Sequence, residues 1–143
     1  MINAAIVGMG RWGRTLVNSV ADCNNSIEFV AGTTRTLSKA TNYAAETGIR
    51  LHATYEDVLA DDAVHAVVLA SPHTVHFDQI MAAAEAGKHV FCEKPFCLTG
   101  GEARLALDTL AAKGLKVAIG HNRRFSPNAI KLKQQIDSGE LGD

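Results

Sequence analysis

The chain has 143 residues, 47% hydrophobic and 20% charged, with fourteen Lys and Arg against fifteen Asp and Glu. That balance fits one ordinary globular domain and excludes a disordered chain, because so apolar a sequence offsets its ordering entropy by burial. A net charge of −1 argues against binding nucleic acid through a broad basic excess.

Three cysteines, Cys23, Cys92 and Cys97, are too few and too irregularly spaced for a disulfide framework or a zinc site. No run nears the roughly 18 uninterrupted apolar residues of a membrane-spanning helix. The expectation is therefore a cytoplasmic, reducing compartment, with no membrane partner, no nucleic acid and no metal.

The N-terminus has no basic leader and reads as structure from its second residue. Residues 2–7 are a short apolar strand ended by a glycine cluster, and 12–20 have helical spacing, with Trp12, Leu16, Val17 and Val20 on one face. A β-branched and aromatic strand at 27–31 precedes a helix at 37–47 that Gly48 stops. A brief strand at 51–53 leads to Thr54, which with Asp57 resembles a capping box for a helix at 55–60. A buried strand at 64–70 ends at Ser71-Pro72. An alanine-rich helix at 75–86 then closes at Gly87, and 88–92 is a strand again. Thr99 and Glu102 form a second capping box, for a helix reaching Lys113 and stopped by Gly114. Residues 115–119 read as a strand. Ser126, with Pro127 at the first helical position, opens a last helix ending at Gly139. Strands alternating with helices of this length predict right-handed βαβ units, hence an α/β fold with a doubly wound parallel sheet covered on both faces.

Gly8-Met9-Gly10-Arg11-Trp12-Gly13 matches G-x-G-x-x-G between a strand and a helix, the context of a dinucleotide fingerprint. Gly8 permits the tight turn, Gly10 lets the backbone approach a diphosphate, and Gly13 lets helix and strand pack closely. The first-turn N–H groups and positive helix end would face the phosphates. Trp12 is either a core anchor or a wall beside the diphosphate. About twenty residues on, where NAD-binding domains carry an acidic residue for the adenosine ribose, stand Gly32-Thr33-Thr34-Arg35. No carboxylate there repels a 2′-phosphate; Thr33 and Thr34 can donate to one, and Arg35 can grip it with a charged fork. The expected cofactor is NADP, with NAD the alternative.

Three further segments fall at strand ends, the edge where open α/β sheets bind ligands: Ser71-Pro72-His73-Thr74-Val75-His76, Glu93-Lys94-Pro95, and Gly120-His121-Asn122-Arg123-Arg124. With the run Ala86-Gly87-Lys88-His89-Val90-Phe91-Cys92 that precedes Glu93, and in this order behind the glycine turn, they resemble the Gfo/Idh/MocA family of nicotinamide-dependent oxidoreductases. The resemblance covers essentially the whole chain. It implies a Rossmann NAD(P)-binding domain, and an enzyme passing hydride between the nicotinamide and a hydroxyl-bearing carbon of a sugar, cyclitol or related polyol. Lys94 would be the catalytic lysine, moving the hydroxyl proton or polarising the carbonyl oxygen. An ammonium beside a cationic ring and partly desolvated suits that work. Glu93 would contact the nicotinamide ribose or hold Lys94, and Pro95 is often preceded by a cis peptide in the family. Ser71, Pro72 and His76 would line the nicotinamide side, with Asn122 and Arg123 nearby.

Other readings stay open. His76 also fits a helix-start histidine bonded to backbone. His73 and His121 read as structural or solvated, and His52, His65 and His89 receive no role. Six basic residues and no acidic one lie between Thr109 and Ile136, which reads as solvated helix faces. A reductase with a similar first domain, such as a biliverdin reductase-like enzyme, and a dinucleotide-sensing regulator without catalysis are the alternatives; Lys94 argues against the sensor.

Family members have a second α/β domain that supplies substrate contacts and the homo-oligomer interface. The chain's last residues, Ser138-Gly139-Glu140-Leu141-Gly142-Asp143, resemble the crossing into it. The expected organisation is a dinucleotide-binding domain at 1–125, then a terminal helix and the start of that crossing at 126–143. A chain lacking the second domain should bind dinucleotide with little turnover, because half of the substrate positioning is absent. It should also expose an apolar patch near its last helix.

Overall fold

The alternation resolves into six strands and six helices in a computed structural model that describes residues 1–21 and 26–142. The elements are β1 (Ile2–Val7), α1 (Arg11–Ala21), β2 (Ile27–Thr33), α2 (Thr41–Thr47), β3 (Arg50–Leu51), α3 (Tyr55–Leu59), β4 (Ala66–Leu69), α4 (His76–Glu85), β5 (His89–Cys92), α5 (Gly100–Ala112), β6 (Val117–Ile119) and α6 (Pro127–Asp137). Single 3₁₀ turns precede α2, α4 and α6, at Leu37–Lys39, His73–Val75 and Asn122–Phe125. Cys23 lies outside the described residues.

All strand pairs are parallel, in the order β3–β2–β1–β4–β5–β6. This is the doubly wound order, in which the chain reverses direction across the sheet at β1 and β4. Successive side chains of a strand point to opposite faces. Ala5 and Val7 of β1 accordingly join Val67 and Leu69 of β4 in one core, sealed by Val58 of α3, Ile80 of α4 and Leu110 of α5. Ala4 and Ile6 join Val68 in the other, sealed by Val17 of α1 and Ala44 of α2. Both faces of the sheet are thus covered, which is why its central strands read as unbroken apolar runs.

Both capping boxes form. The Thr54 hydroxyl accepts from the Asp57 N–H and Thr99 from Glu102, while each acid reaches back to its threonine's N–H. Ser126 caps α6 by accepting from the Ala129 N–H at 3.3 Å. The histidines without an assigned role serve the scaffold. His65 Nδ1 accepts the Asn3 N–H and His89 Nδ1 the Lys116 N–H, each at 3.1 Å, at the starts of neighbouring strands. His52 donates to Asp61 Oδ2 at 3.0 Å, an oxygen that also takes Arg50. Burial pushes the Asp61 carboxyl up, but the Ala63 N–H, His52 and Arg50 outweigh it and hold the group below the ordinary carboxylate range. The buried Lys88 ammonium donates to the carbonyls of Asp61 and Val64, at 3.0 and 2.8 Å.

Candidate cofactor and active site

Backbone hydrogen bonds stitch the carboxyl ends of five strands into one row. Gly8 N–H donates to the Thr33 carbonyl (2.9 Å), Ala70 to Val7 (2.8 Å), Glu93 to Leu69 (2.9 Å) and Gly120 to Cys92 (2.9 Å). Segments separated by up to 112 positions in the chain, from Gly8 to Gly120, therefore stand side by side on the edge where α/β sheets bind ligands.

The glycines of the first turn do three different jobs. Gly8 has φ +96°, and a Cβ there would lie 2.6 Å from the Ala70 carbonyl oxygen. A Cβ on Gly13 would lie 2.0 Å from the Gly8 carbonyl oxygen, so only glycine lets α1 start this close to the turn. A Cβ on Gly10 would meet nothing within 4 Å. Its missing side chain keeps open the space in front of the first turn of α1, where a diphosphate would approach the free N–H groups.

That space belongs to a cleft of about 1060 Å³ lined by Gly8, Met9 and Gly10, by Thr33, Thr34 and Arg35, and by Ser71 and Pro72. Thr33 is buried, Thr34 half-buried and Arg35 exposed at the rim, so Arg35 is the most accessible of the three. Glu56 is the one carboxylate among the described lining residues, against two cations, Arg35 and Lys39. The sequence singled out Thr54 only as a helix cap, and gave no role to Lys39, Tyr55, Glu56 or Gln79. The end of a third strand would have pointed to Thr54 and Tyr55; Gln79, inside α4, has no signal of its own. The Ser71 hydroxyl donates to Gln79 Oε1 at 2.5 Å, and the Tyr55 hydroxyl to the Gln79 carbonyl at 2.9 Å. Burial, helped by the nearby Glu56 and Cys92, pushes the Tyr55 phenol well up, so it stays a donor.

Further along the same edge lies a ledge formed by the segments after β5 and β6. Lys94 is exposed there, with no side-chain hydrogen bond or ion pair among the described residues, and the Lys94–Pro95 peptide is cis. Glu93 is buried, and its carboxylate accepts the Lys94 N–H at 3.3 Å. A Cβ on Gly120 would lie 2.5 Å from Glu93 Oε1, so the glycine at the end of β6 makes room for that carboxylate. Asn122 and Arg123 are exposed on the turn that follows. Cys92, beneath the ledge, is fully buried; burial first, then the neighbouring Cys97 and Glu93, push its thiol up to about 12. A protonated, inaccessible thiol is structural.

The structure bears on two residues with alternative sequence readings: Trp12, and His76, which is the helix-start histidine bonded to backbone. Trp12 is 42% exposed, so it is no core anchor; the inward face of α1 is carried by Gly13 and Val17. Arg11 is exposed beside it, on the same first turn. His76 is 1% exposed, with Nδ1 2.8 Å from the Pro95 carbonyl and Nε2 3.0 Å from the Ser71 carbonyl. It sits behind the site, linking the loop after β4 to the ledge, rather than on its surface.

A family model described as "Oxidoreductase family, NAD-binding Rossmann fold" matches residues 2–121. Among similar proteins, inositol 2-dehydrogenase 1 of Saccharopolyspora erythraea is 35% identical over 149 residues, spanning 99% of this chain and 43% of that protein. The D-xylose 1-dehydrogenase (NADP(+)) of Hypocrea jecorina is 39% identical over 93 residues, 65% of this chain and 24% of that one. The crystal structure of scyllo-inositol dehydrogenase from Lactobacillus casei with bound NAD(H) and scyllo-inositol superposes with a TM-score of 0.91 at 30% identity, covering 100% of this chain and 43% of that one. The chain spans less than half the length of each of these relatives.

Proposed function

The chain belongs to the Gfo/Idh/MocA family of oxidoreductases, as an NAD(P)-binding Rossmann domain, and from that premise we propose that it holds NADP for hydride exchange with a polyol or sugar. The observation that carries this reading is the continuous cleft from the open Gly10 to the exposed Arg35, with no carboxylate at the end of β2. The glycine turn would take the diphosphate on the first-turn N–H groups of α1. Thr34 and Arg35 would take the 2′-phosphate, whose charge-assisted hydrogen bonds are worth about 1.5–3 kcal/mol, or roughly 10- to 150-fold in affinity. Relatives named for NAD and for NADP both occur, so the argument for NADP rests on this chain's own residues. Ser71 and Pro72 would flank the nicotinamide side, and His76 would fix the loops around it.

When bound, the nicotinamide supplies the hydride donor or acceptor. Lys94 Nζ would take the substrate hydroxyl proton as the amine and return it as the ammonium, with Glu93 fixing its backbone and Asn122 and Arg123 on the next turn. The polyol assignment is supported by the inositol-named relatives. Residues 1–125 would form the dinucleotide-binding unit and 126–143 the segment leading out of it; by itself the chain would bind cofactor with little turnover.

A calorimetric titration tests the cofactor assignment. NADP should bind at least about tenfold tighter than NAD, and Arg35→Ala should largely erase the difference. Equal affinity of the unmodified chain for both would remove Arg35 as the selector.

A further inference from the structure

Arg14 follows the last glycine of the fingerprint and belongs to none of the lining segments of the main cleft. Its side chain nevertheless touches both walls. Nε donates to the Met9 carbonyl of the glycine turn at 3.2 Å, and Nη2 donates to the Lys39 carbonyl at 2.6 Å, at the end of the turn that follows Arg35. The guanidinium carbon lies 4.8 Å from the ring centroid of Tyr43 in α2, a cation–π distance. That ring is itself held, its hydroxyl donating to Asn18 Oδ1 of α1 at 2.7 Å.

We infer that Arg14 is a positioning residue for cofactor selection: a strut that sets the separation between the glycine turn and the Arg35 loop. The inference rests on the proposed binding of a 2′-phosphorylated dinucleotide. In such a ligand the diphosphate and the 2′-phosphate are joined covalently at a limited range of distances. The two protein elements that meet them are joined at their base by the core and the Gly8 N–H to Thr33 carbonyl bond, and further out by this guanidinium. Both carbonyls accept from one planar fork, a geometry that fixes direction as well as distance. A lysine at this position keeps the charge but cannot donate along two fixed directions or stack on the ring in the same way. The Arg35 loop would then have to be ordered by the ligand, and that cost falls on the cofactor that uses the loop most. NADP affinity should fall more than NAD affinity. A role confined to general stability would weaken both equally.

The test is titration of the 143-residue chain and its Arg14→Lys and Tyr43→Leu variants with NADP and with NAD, on samples whose circular dichroism matches the parent. Arg14→Lys should reduce the NADP-over-NAD preference about five- to tenfold, chiefly through NADP. Tyr43→Leu, which removes the stacking face and leaves the fork, should shift it about two- to threefold the same way; this arm decides the matter if Arg14→Lys does not fold. A folded Arg14→Lys variant that keeps the parent's preference within a factor of two overturns the strut while leaving the dinucleotide reading intact. A parent chain that binds neither dinucleotide, or both equally, overturns the reading itself and the strut with it.

Discussion

At the scale of the residue, the three fingerprint glycines separate folding from binding. Gly10→Val puts its side chain into open space in front of α1, so the thermal midpoint should change by no more than a few degrees while dinucleotide binding is lost. Gly13→Ala instead places a methyl 2.0 Å from a backbone oxygen and should lower stability by at least about 2 kcal/mol, read by thermal unfolding. If Gly13→Ala were as stable as the parent, the close packing of α1 on the turn would be wrong. The motif's spacing was readable because Gly8 and Gly13 answer backbone requirements that no other residue meets, while Gly10 leaves space in front of α1. What the sequence did not disclose was direction. Trp12 lies on the same helix as the buried Val17 yet points outward. His76, which fitted both a place on the nicotinamide side and a histidine bonded to backbone, spends both ring nitrogens on carbonyls. Arg14 left no trace, because its hydrogen-bond acceptors are main-chain oxygens and its stacking partner, Tyr43, lies 29 positions away in α2.

At the scale of the element, the punctuation was the most legible part. Thr54 with Asp57 and Thr99 with Glu102 mark the starts of α3 and α5, because short side chains can satisfy the free N–H groups of a first turn. Glu102 accepts from both Leu98 and Thr99 N–H at 3.1 Å. Thr99→Ala should cost about 1 kcal/mol, lowering the melting temperature by about 3–5 °C; an unchanged melt would mean that the box adds nothing to the helix start. Less legible were the three 3₁₀ turns and the two-residue β3. The helix at 37–47 splits because its first three residues close as 3₁₀ and Ala40 intervenes before α2. Hydrophobic spacing does not distinguish these geometries over so few residues.

For the whole molecule, the doubly wound parallel sheet followed from the βαβ alternation, and the hydrogen-bonded row of strand ends explains why the separate motifs share one edge. The predicted apolar patch is visible as well. α6 has no buried residue, and Phe125, Ile130, Leu132, Ile136 and Leu141 are all exposed. A helix with so little burial opens locally at small free-energy cost. Its amides should exchange with deuterium at least about a hundredfold faster than those of β1 and β4. Equal protection would show that α6 is held by packing of its own. The reach of the account beyond the dinucleotide, to the polyol and to the proton at Lys94, depends on the cofactor seated first.

The central claim is therefore tested most directly by isothermal titration calorimetry of the folded chain with NADP and NAD, using Gly10→Val as the control. The account predicts saturable one-site binding that is tighter for NADP and absent in the variant. Correctly folded protein that binds neither dinucleotide at millimolar concentration would contradict it.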